Sequence, residues 1–499
     1  MKKGKDDKKP PTLVGFNMKN ERCIFLKGFF NISERILIQR VRWSMDTMRE
    51  NPRKRLSFLL SSFFLVVFVF LSACGGGGGG SSGGGGGGNT SGSSPISVSY
   101  CASGCTIKTP PIYNANQNNM AIDGQGNIWV TSENPLSHST DGLIEIIPNS
   151  SQSPISYCSS GCNVSLTIDT PTSLAVDLYD NIFVQSIDPN QINGSCSNCE
   201  YKIFKIPSKN PSSYTTYCFS GCNINNNLFG FVVGTGDMIS GTDIAGDVYG
   251  NVWLADGDNC GGCGTVGELG PSPTLSVGNY CNSGCTNNSG YNFSNPIDLA
   301  TDSAGNIWVS NFNANSVTKI PGTNTLSPII FSATTLKLKG PGSIVADGSG
   351  NIWVASQGSG GTGSGILTEI PSNNPSNAVT YCASGCTHNV SLTDPGPLAV
   401  DGSGNIWVVS SGFLIMINPN NYSQTSYCGY SIICNGVVPF LNNFIGISAL
   451  AVDGSGNIWV TGNISTNNNG NNVAVLKITS IASPTRTPLP SALLNGFKP

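Results

Sequence analysis

The sequence predicts an all-β protein, a seven-bladed β-propeller of four-stranded blades, and two observations carry this prediction. One motif, AVDGSGNIWV, occurs at residues 399–408 and 451–460 and recurs in five variants, so seven copies are present. Four strand-forming segments can be assigned to a typical copy. The aspartates that mark the copies are Asp123, Asp177, Asp247, Asp302, Asp347, Asp401 and Asp453, spaced 45 to 70 residues apart. A repeat of this period indicates a propeller or solenoid, in which no unit buries a core alone.

Each motif predicts two strands joined by a tight turn. Short apolar runs flank Asp-Gly-Ser-Gly-Asn, and glycine, aspartate and asparagine are the residues that tight turns prefer. The runs are continuously apolar, which indicates strands buried on both faces. A second pair of strand signals follows, for example at residues 142–147 and 155–158. A helical solenoid is excluded because no window of ten or more residues in the repeat region has a helical period.

The two ends of the repeat region predict how the ring closes. The last copy, at Asp453, is followed by only one further strand signal, at residues 473–478. An unpaired strand signal at residues 96–101 precedes the first copy. We therefore expect residues 96–101 to complete the seventh blade and cover an otherwise bare sheet edge. The propeller then spans residues 95–480, and residues 481–499 form a C-terminal tail.

The N-terminal segment predicts export and a lipid anchor. Residues 48–73 have the basic flank and apolar run of a signal peptide, and residues 1–47 are interpreted as an over-long start upstream of it. Residues 71–74, Leu-Ser-Ala-Cys, resemble a bacterial lipobox, which makes Cys74 the predicted lipidation site. The alternative is an uncleaved transmembrane anchor, because the mainly apolar run of eighteen residues at 56–73 is just long enough to span a bilayer.

Residues 74–94 comprise the lipidated cysteine and a Gly/Ser linker. Such a linker is a flexible coil that reaches about 25 Å over twenty residues. Lipid chains on Cys74 provide the only membrane contact that we expect. This organisation predicts a protein of the bacterial cell envelope. Gly75, in place of an aspartate after the lipidated cysteine, favours the outer membrane or the cell surface.

The charge of the chain argues against nucleic-acid binding. Residues 1–73 carry 15 of the 25 lysines and arginines and only 6 of the 28 acidic residues. The remainder has 10 basic and 22 acidic residues, a net charge of −12. Because phosphate contacts need a basic surface, we expect no nucleic-acid partner. We expect a monomer.

The cysteines predict short disulfide loops. Cys23 lies upstream, Cys74 is the lipidation site, and the other sixteen of the 18 cysteines form eight close pairs. In an exported protein, such pairs indicate disulfides. The pairs are Cys101 with Cys105, Cys158 with Cys162, Cys196 with Cys199, Cys218 with Cys222, Cys260 with Cys263, Cys281 with Cys285, Cys382 with Cys386 and Cys428 with Cys434. The two C-x-x-C pairs lie on one predicted rim and also allow a zinc site or a redox pair.

Candidate catalytic residues are few. The loops that join strand two to strand three, and strand four to the next blade, lie on one face, which we call the long-loop face. A ligand site is expected there or at the mouth of the central channel. Two candidate acid–base sites lie on these loops: the pair of His138 and Glu133, and His388 alone. The alternative is that both histidines are simply exposed to solvent. The Asp-Gly-Ser-Gly-Asn turn has the oxygen spacing of a calcium loop but lacks its bidentate glutamate, so we assign no metal ligand.

The repeated LAVDGSGNIWV motif resembles the NHL repeat and the virginiamycin B lyase-like propellers over residues 95–480. The NHL resemblance implies an interaction platform for proteins, peptides or nucleic acid. The lyase resemblance implies a seven-bladed enzyme that opens a cyclic depsipeptide with magnesium, histidine and glutamate. Gluconolactonase-like propellers are also similar and imply a channel lined with metal ligands. No position of this sequence matches a catalytic motif of these families.

These observations predict a lipid-anchored, non-enzymatic binding or scaffold module without a cofactor. Its expected partner is a protein, peptide or glycan on the long-loop face. The alternative is a metal-dependent lyase or lactone hydrolase that uses magnesium or calcium.

Overall fold

The computed structural model describes residues 97–486 with internal gaps. Every described residue lies in one compact unit, Ser91–Pro499. The gaps are residues 102–106, 109–118, 134–140, 149, 151–152, 169, 188–200, 218–242, 258–263, 272–276, 282–289, 324, 359–363, 430–433, 439–440, 442 and 465–471. The predicted upstream segment, signal peptide and linker, with Cys74, lie outside the described residues.

The described residues form seven β-sheets, one for each copy of the motif, and confirm the seven-bladed propeller. Blade 1 contains β3 (Met120–Ile122), β4 (Ile128–Ser132), β5 (Gly142–Ile146), β6 (Ile155–Cys158) and β7 (Val164–Ser165). Blade 2 contains β8 (Pro171–Val176), β9 (Asn181–Ile187), β10 (Tyr201–Pro207) and β11 (Thr215–Tyr217). Blade 3 contains β12 (Ile244–Gly246), β13 (Val252–Asp256), β14 (Thr265–Leu269) and β15 (Val277–Tyr280). Blade 4 contains β16 (Pro296–Thr301), β17 (Ile307–Asn311), β18 (Ser316–Ile320) and β19 (Ile329–Ser332).

The remaining three blades each have five strands. Blade 5 contains β20 (Pro341–Ala346), β21 (Ile352–Ser356), β22 (Ile366–Ile370), β23 (Val379–Cys382) and β24 (His388–Asn389). Blade 6 contains β25 (Pro395–Val400), β26 (Ile406–Ser410), β27 (Phe413–Ile417), β28 (Gln424–Cys428) and β29 (Gly436–Val437). Blade 7 contains β30 (Phe444–Val452), β31 (Ile458–Ile464), β32 (Asn472–Ile478), β1 (Ser97–Cys101) and β2 (Ile107–Lys108).

The ring closes as the sequence predicts. Strand β1 pairs antiparallel with β32, with Ser97 opposite Ile478 and Tyr100 opposite Val475. The N-terminal strand thus supplies the fourth strand of blade 7. The ring of Tyr100 also stacks on Trp459 of β31, with 5.8 Å between the ring centroids.

A short fifth strand in four blades departs from the predicted four strands. Strands β2, β7, β24 and β29 run parallel to the fourth antiparallel strand of their own sheets. Each follows a close cysteine pair, and in three of the blades the structure describes the disulfide. These bonds are Cys158–Cys162, Cys382–Cys386 and Cys428–Cys434. The small disulfide loop carries the chain back, so that the next residues pair with the fourth strand at the edge of the sheet.

Helical structure in the described residues is minimal. A helical turn, α1 (Ala333–Leu336), and a 3-10 turn, Pro375–Asn377, lie in the connections of blades 4 and 5. Within the described part of the chain, no helix has the length and apolar character to cross a membrane.

The hydrophobic core is divided among the interfaces between blades. Seven clusters of buried side chains each join two neighbouring blades, and each contains the aromatic residue of one motif. Those residues are Trp129, Phe183, Trp253, Trp308, Trp353, Trp407 and Trp459. Strands such as β4 and β21 are buried at every position, as the continuous apolar runs predict.

Candidate functional site

Each hairpin motif is built around its buried aspartate. In blade 5, Asp347 Oδ1 accepts backbone N–H bonds from Ser349 at 2.8 Å and Asn351 at 3.0 Å. Its Oδ2 accepts the side-chain amide of Asn351 at 3.0 Å and the indole N–H of Trp353 at 3.1 Å. The indole bond recurs in six blades as Trp129–Asp123, Trp253–Asp247, Trp308–Asp302, Trp353–Asp347, Trp407–Asp401 and Trp459–Asp453. The repeated carboxylates therefore hold the hairpins together.

A tunnel of about 280 Å³ runs along the axis of the ring, between the first strands of all seven blades. Alanine, valine, leucine and isoleucine line most of its length. Polar lining is concentrated at the two ends. Asp243, Asp298 and Ser343 lie where the first strands begin, and Thr485 and Arg486 lie at the hairpin end. The end with the two aspartates opens toward the long-loop face.

Asp243 and Asp298 form a buried carboxyl pair between blades 3 and 4. Their side chains are 3% and 5% exposed. Asp243 accepts the Ser173 hydroxyl at 3.1 Å and the backbone N–H of Leu299 at 2.9 Å. Asp298 Oδ2 accepts the backbone N–H of Ile344 at 3.0 Å. The pair thus links the first strands of blades 2 to 5 in a chain of hydrogen bonds.

The surroundings of the carboxyl pair favour its protonated form. Burial raises the pKa of Asp298 well above its usual range, and the neighbouring charge of Asp243 and the hydrogen bond between the two carboxyl groups raise it further. The N–H of Ile344 and the hydroxyl of Ser343 oppose the shift without cancelling it. A buried carboxyl group with a raised pKa is a candidate proton donor.

The pair makes the stability of the propeller depend on pH. The pKa of Asp298 is higher in the folded state than in the unfolded state. Protonation of Asp298 therefore stabilises the fold in full below the unfolded pKa of about 3.9, and this stabilisation is lost as pH rises through the folded pKa. We expect Asp298→Asn to remove this loss of stability at high pH. The amide of asparagine can accept the N–H of Ile344 and donate a hydrogen bond to Asp243 without ionising.

Urea denaturation between pH 5 and pH 9 measures the effect. The midpoint of the wild-type protein is expected to fall relative to that of Asp298→Asn as pH rises. Asp394, which is not part of the pair, supplies the control substitution Asp394→Asn. Parallel curves for wild type and Asp298→Asn would contradict the assignment of a shared proton.

The C-terminal tail lies across the hairpin end of the tunnel. Ser483 accepts the backbone N–H of Gly402 at 3.1 Å, and its own N–H donates to Asp401 Oδ2 at 3.2 Å. The N–H of Thr485 donates to the carbonyl of Asp453 at 3.0 Å. Residues 481–486 therefore join the hairpins of blades 6 and 7.

The structure describes two of the three sequence-predicted acid–base candidates, so the pairing of His138 with Glu133 stays a prediction. Glu133 directly follows β4 and is half-buried, whereas His138 lies outside the described residues. His388 lies in β24 rather than in a loop. Its ring stacks on Tyr422 at 3.6 Å between centroids and lies 5.1 Å from that of Tyr381. His388 is thus packed between blades 5 and 6.

The structure describes three of the eight predicted disulfides. Three of the eight pairs are closed, as given above, and Cys281 is disulfide-bonded while its predicted partner Cys285 lies outside the described residues. The other four pairs are Cys101 with Cys105, Cys196 with Cys199, Cys218 with Cys222, and Cys260 with Cys263.

These four pairs stay predictions, because each has at least one cysteine outside the described residues. Cys101 ends β1, but its predicted partner Cys105 lies in a gap. In the other three pairs, which end at Cys199, Cys222 and Cys263, both cysteines lie in gaps. The disulfides predicted at Cys105, Cys199, Cys222 and Cys263 are therefore not among the bonds that the structure shows. The zinc and redox alternatives for the two C-x-x-C pairs also stay predictions.

A signal for the carboxyl pair is present in the sequence, just before the repeated motif. The residue four positions before the motif aspartate is asparagine, serine or aspartate in blades 1 to 5. A polar residue at the start of a buried first strand needs a partner, and these residues find it in the neighbouring blade. The members of this column in blades 1 to 5 are Asn119, Ser173, Asp243, Asp298 and Ser343.

A magnesium or calcium site, which the resemblance implies, does not fit the described residues. Among them, no three histidine, cysteine, aspartate or glutamate side chains come close enough to share a metal ion. The motif carboxylates accept N–H donors from their own hairpins. We therefore derive no reaction step through a metal.

Comparison with known proteins finds similar solved structures but no family for this chain. No family model and no curated protein matches the chain. One similar solved structure is a catalytically inactive virginiamycin B lyase from Staphylococcus aureus with quinupristin, which is 13% identical in sequence. The match covers 74% of this chain and 99% of the lyase chain, with a TM-score of 0.45. The WD40 propeller domain of Doa1 is 11% identical, covering 78% and 97%, with a TM-score of 0.45. The calcium-binding protein regucalcin from Agrobacterium tumefaciens is 11% identical, covering 76% and 95%, with a TM-score of 0.36. All three are similar to this chain at low identity, and their activities are not transferred to it.

Proposed function

We propose that the protein is a lipid-anchored module of the bacterial cell envelope, a binding or scaffold propeller without catalytic activity. Cys74 carries the lipid, and residues 75–94 tether the propeller to the outer membrane or cell surface. The long-loop face binds a protein, peptide or glycan.

One observation carries the choice of the long-loop face. Eight buried side chains of the described residues have a polar atom without a hydrogen-bond partner, and all eight lie at this end of their strands. They are Asn119, Thr170, Gln185, Thr265, Asn311, Ser316, Ser356 and Asn463. Buried polar groups are normally paired, so a concentration at one rim favours polar occupants on this face. The opposite face consists of hairpins whose aspartates are paired internally.

Two exposed lysines on opposite faces provide a matched test. Lys339 precedes β20 on the long-loop face, and Lys209 lies between β10 and β11 on the hairpin face. Peptide and glycan arrays probed with the full chain would identify a binder. We expect Lys339→Glu to weaken that binding by at least about fivefold, since a rim charge next to the site alters its electrostatics. Lys209→Glu is expected to leave the affinity unchanged. Equal effects of the two substitutions, or no binder on either array, would contradict the proposal.

A second candidate function is a metal-dependent lyase or lactone hydrolase. The carboxyl pair of Asp243 and Asp298 at the tunnel mouth favours it, because a protonated carboxyl group there could act as a general acid. This function predicts a thermal shift with magnesium or calcium that His138→Ala or Glu133→Ala abolishes. The absence of a shift with any divalent ion would count against it.

A further inference from the structure

Blade 2 differs from the other six at the aromatic position of its motif. Phe183 stands where the other blades have tryptophan, so no indole N–H reaches Asp177. Asp177 Oδ1 keeps the backbone N–H bonds of Tyr179 and Asn181. Its Oδ2 accepts only the Asn181 amide at 2.8 Å, whereas the equivalent oxygen in the other blades also accepts an indole at 2.7–3.1 Å.

A cavity of about 220 Å³ lies beside Phe183, between blades 2 and 3 on the hairpin face. Asp177, Lys205 and Tyr217 line it from blade 2. Gly270 and Pro271 line it from blade 3. A buried apolar cavity of about 150 Å³ is large enough to hold benzene, so this one can accept a larger planar ring.

The phenol of Tyr217 lacks the glutamate partner that its equivalents in blades 1, 3 and 5 have, as do Tyr427 in blade 6 and Tyr100 in blade 7. In blades 1, 3 and 5 the fourth-strand tyrosine donates its hydroxyl to a third-strand glutamate, at 2.6 to 3.0 Å. In blade 2 the third-strand position opposite Phe183 is Lys205, which is not an acceptor. Tyr217 is 2% exposed and lines the cavity, and its hydroxyl makes no hydrogen bond among the described residues. The hydroxyl is not one of the fully enclosed unpaired atoms of the long-loop face, so it is accessible from the cavity, where a ligand or water can bond to it.

The other blades indicate which chemistry these side chains recognise. A fourth-strand tyrosine packs against the motif tryptophan in five of them, with ring centroids 5.2 to 5.8 Å apart. In blades 4 and 7 a third-strand lysine lies over the tryptophan ring, at 5.0 and 5.5 Å. Blade 2 retains the carboxylate, the tyrosine and the lysine that contact an indole elsewhere, but it lacks the indole.

We propose that the cavity beside Phe183 binds a neutral, planar aromatic ring that carries an N–H donor. The N–H donates to Asp177 Oδ2, and the rings of Phe183 and Tyr217 contact the ligand. Lys205 disfavours cations and Asp177 disfavours anions, so a neutral ring is preferred. The exposed ring of Tyr179, which lies against Gly250 of the next hairpin, borders the cavity.

Indole and 1-methylindole test the proposal with the full chain, because they share a shape and only indole has the N–H. We expect indole to bind, as measured by saturation-transfer NMR and titration calorimetry, and 1-methylindole to bind at least about tenfold more weakly, since hydrogen bonds to charged groups are strong. N-acetyl-tryptophanamide represents a tryptophan side chain within a peptide. If it binds as tightly as indole, the ligand is a tryptophan side chain of a peptide; if it binds more weakly, the ligand is a free small molecule.

Phe183→Trp is the matched variant, because it adds the indole that six blades already contain. It is expected to keep or raise the melting temperature and to abolish indole binding. Lys319→Ala in blade 4, which is not part of the cavity, is expected to leave indole binding unchanged. Equal binding of indole and 1-methylindole, persistence of binding in Phe183→Trp, or no binding of either ring would overturn the proposal.

Discussion

Deletion of residues 97–101 is expected to lower the free energy of unfolding by at least about 5 kcal/mol, a large part of the stability of a typical domain. These residues form β1, which pairs along β32 and covers its edge. The deletion also removes Tyr100, which is 5% exposed and belongs to the cluster between blades 7 and 1. Without this strand the ring loses its closure, and β32 becomes an open edge that can pair with other chains.

Urea denaturation and size-exclusion chromatography measure this effect. We expect a lower and less cooperative transition, together with loss of monomer to larger species. Deletion of residues 83–87, five glycines of the linker, is the control of equal length and should leave both measurements unchanged. A monomer of nearly wild-type stability after deletion of 97–101 would exclude the role of β1 in closure.

The blades could be predicted from the sequence because their determinants are local. The bonds from Asp347 to Ser349, Asn351 and Trp353 span seven residues, so each hairpin is specified within its own motif. Ring closure could be predicted by counting strands, since blade 7 lacked a fourth strand and one unpaired strand preceded the first motif.

The fifth strands could not be predicted in the same way. Strand β24 has only two residues, His388–Asn389, and its pairing with β23 depends on the disulfide loop that precedes it. A two-residue segment has no periodicity to detect. The prediction of His388 as a loop residue was wrong for this reason.

The tunnel mouth and the cavity of blade 2 depend on contacts between blades. Asp243 and Asp298 are 55 residues apart in the sequence and meet only because blades 3 and 4 are neighbours. The change from tryptophan to Phe183 is visible in the sequence, but the space beside it depends on Gly270 and Pro271 of the next blade. Motif comparison identifies such exceptions, and packing determines what they form.

Replacement of Asp347 by alanine is expected to cost about 3–5 kcal/mol of unfolding free energy, although the residue lies in a turn. Asp347 is 5% exposed, and its carboxylate accepts four hydrogen bonds. Alanine leaves the buried indole N–H of Trp353 and the amide of Asn351 without an acceptor. An unpaired buried donor carries its whole desolvation penalty, which exceeds the net gain of an ordinary hydrogen bond.

Three substitutions in the same hairpin separate this effect from a general sensitivity of the turn. Ser349→Ala removes a hydroxyl at the tip of the turn and should change stability by less than about 0.5 kcal/mol. Asp347→Asn retains one oxygen for the backbone donors but turns an amide N–H₂ toward Trp353, so its cost should fall between those of Ser349→Ala and Asp347→Ala. Denaturant titration of the three variants gives the order. A loss below about 1 kcal/mol in Asp347→Ala would mean that the indole and amide find other acceptors, and that the repeated aspartate is a turn residue rather than the centre of each hairpin.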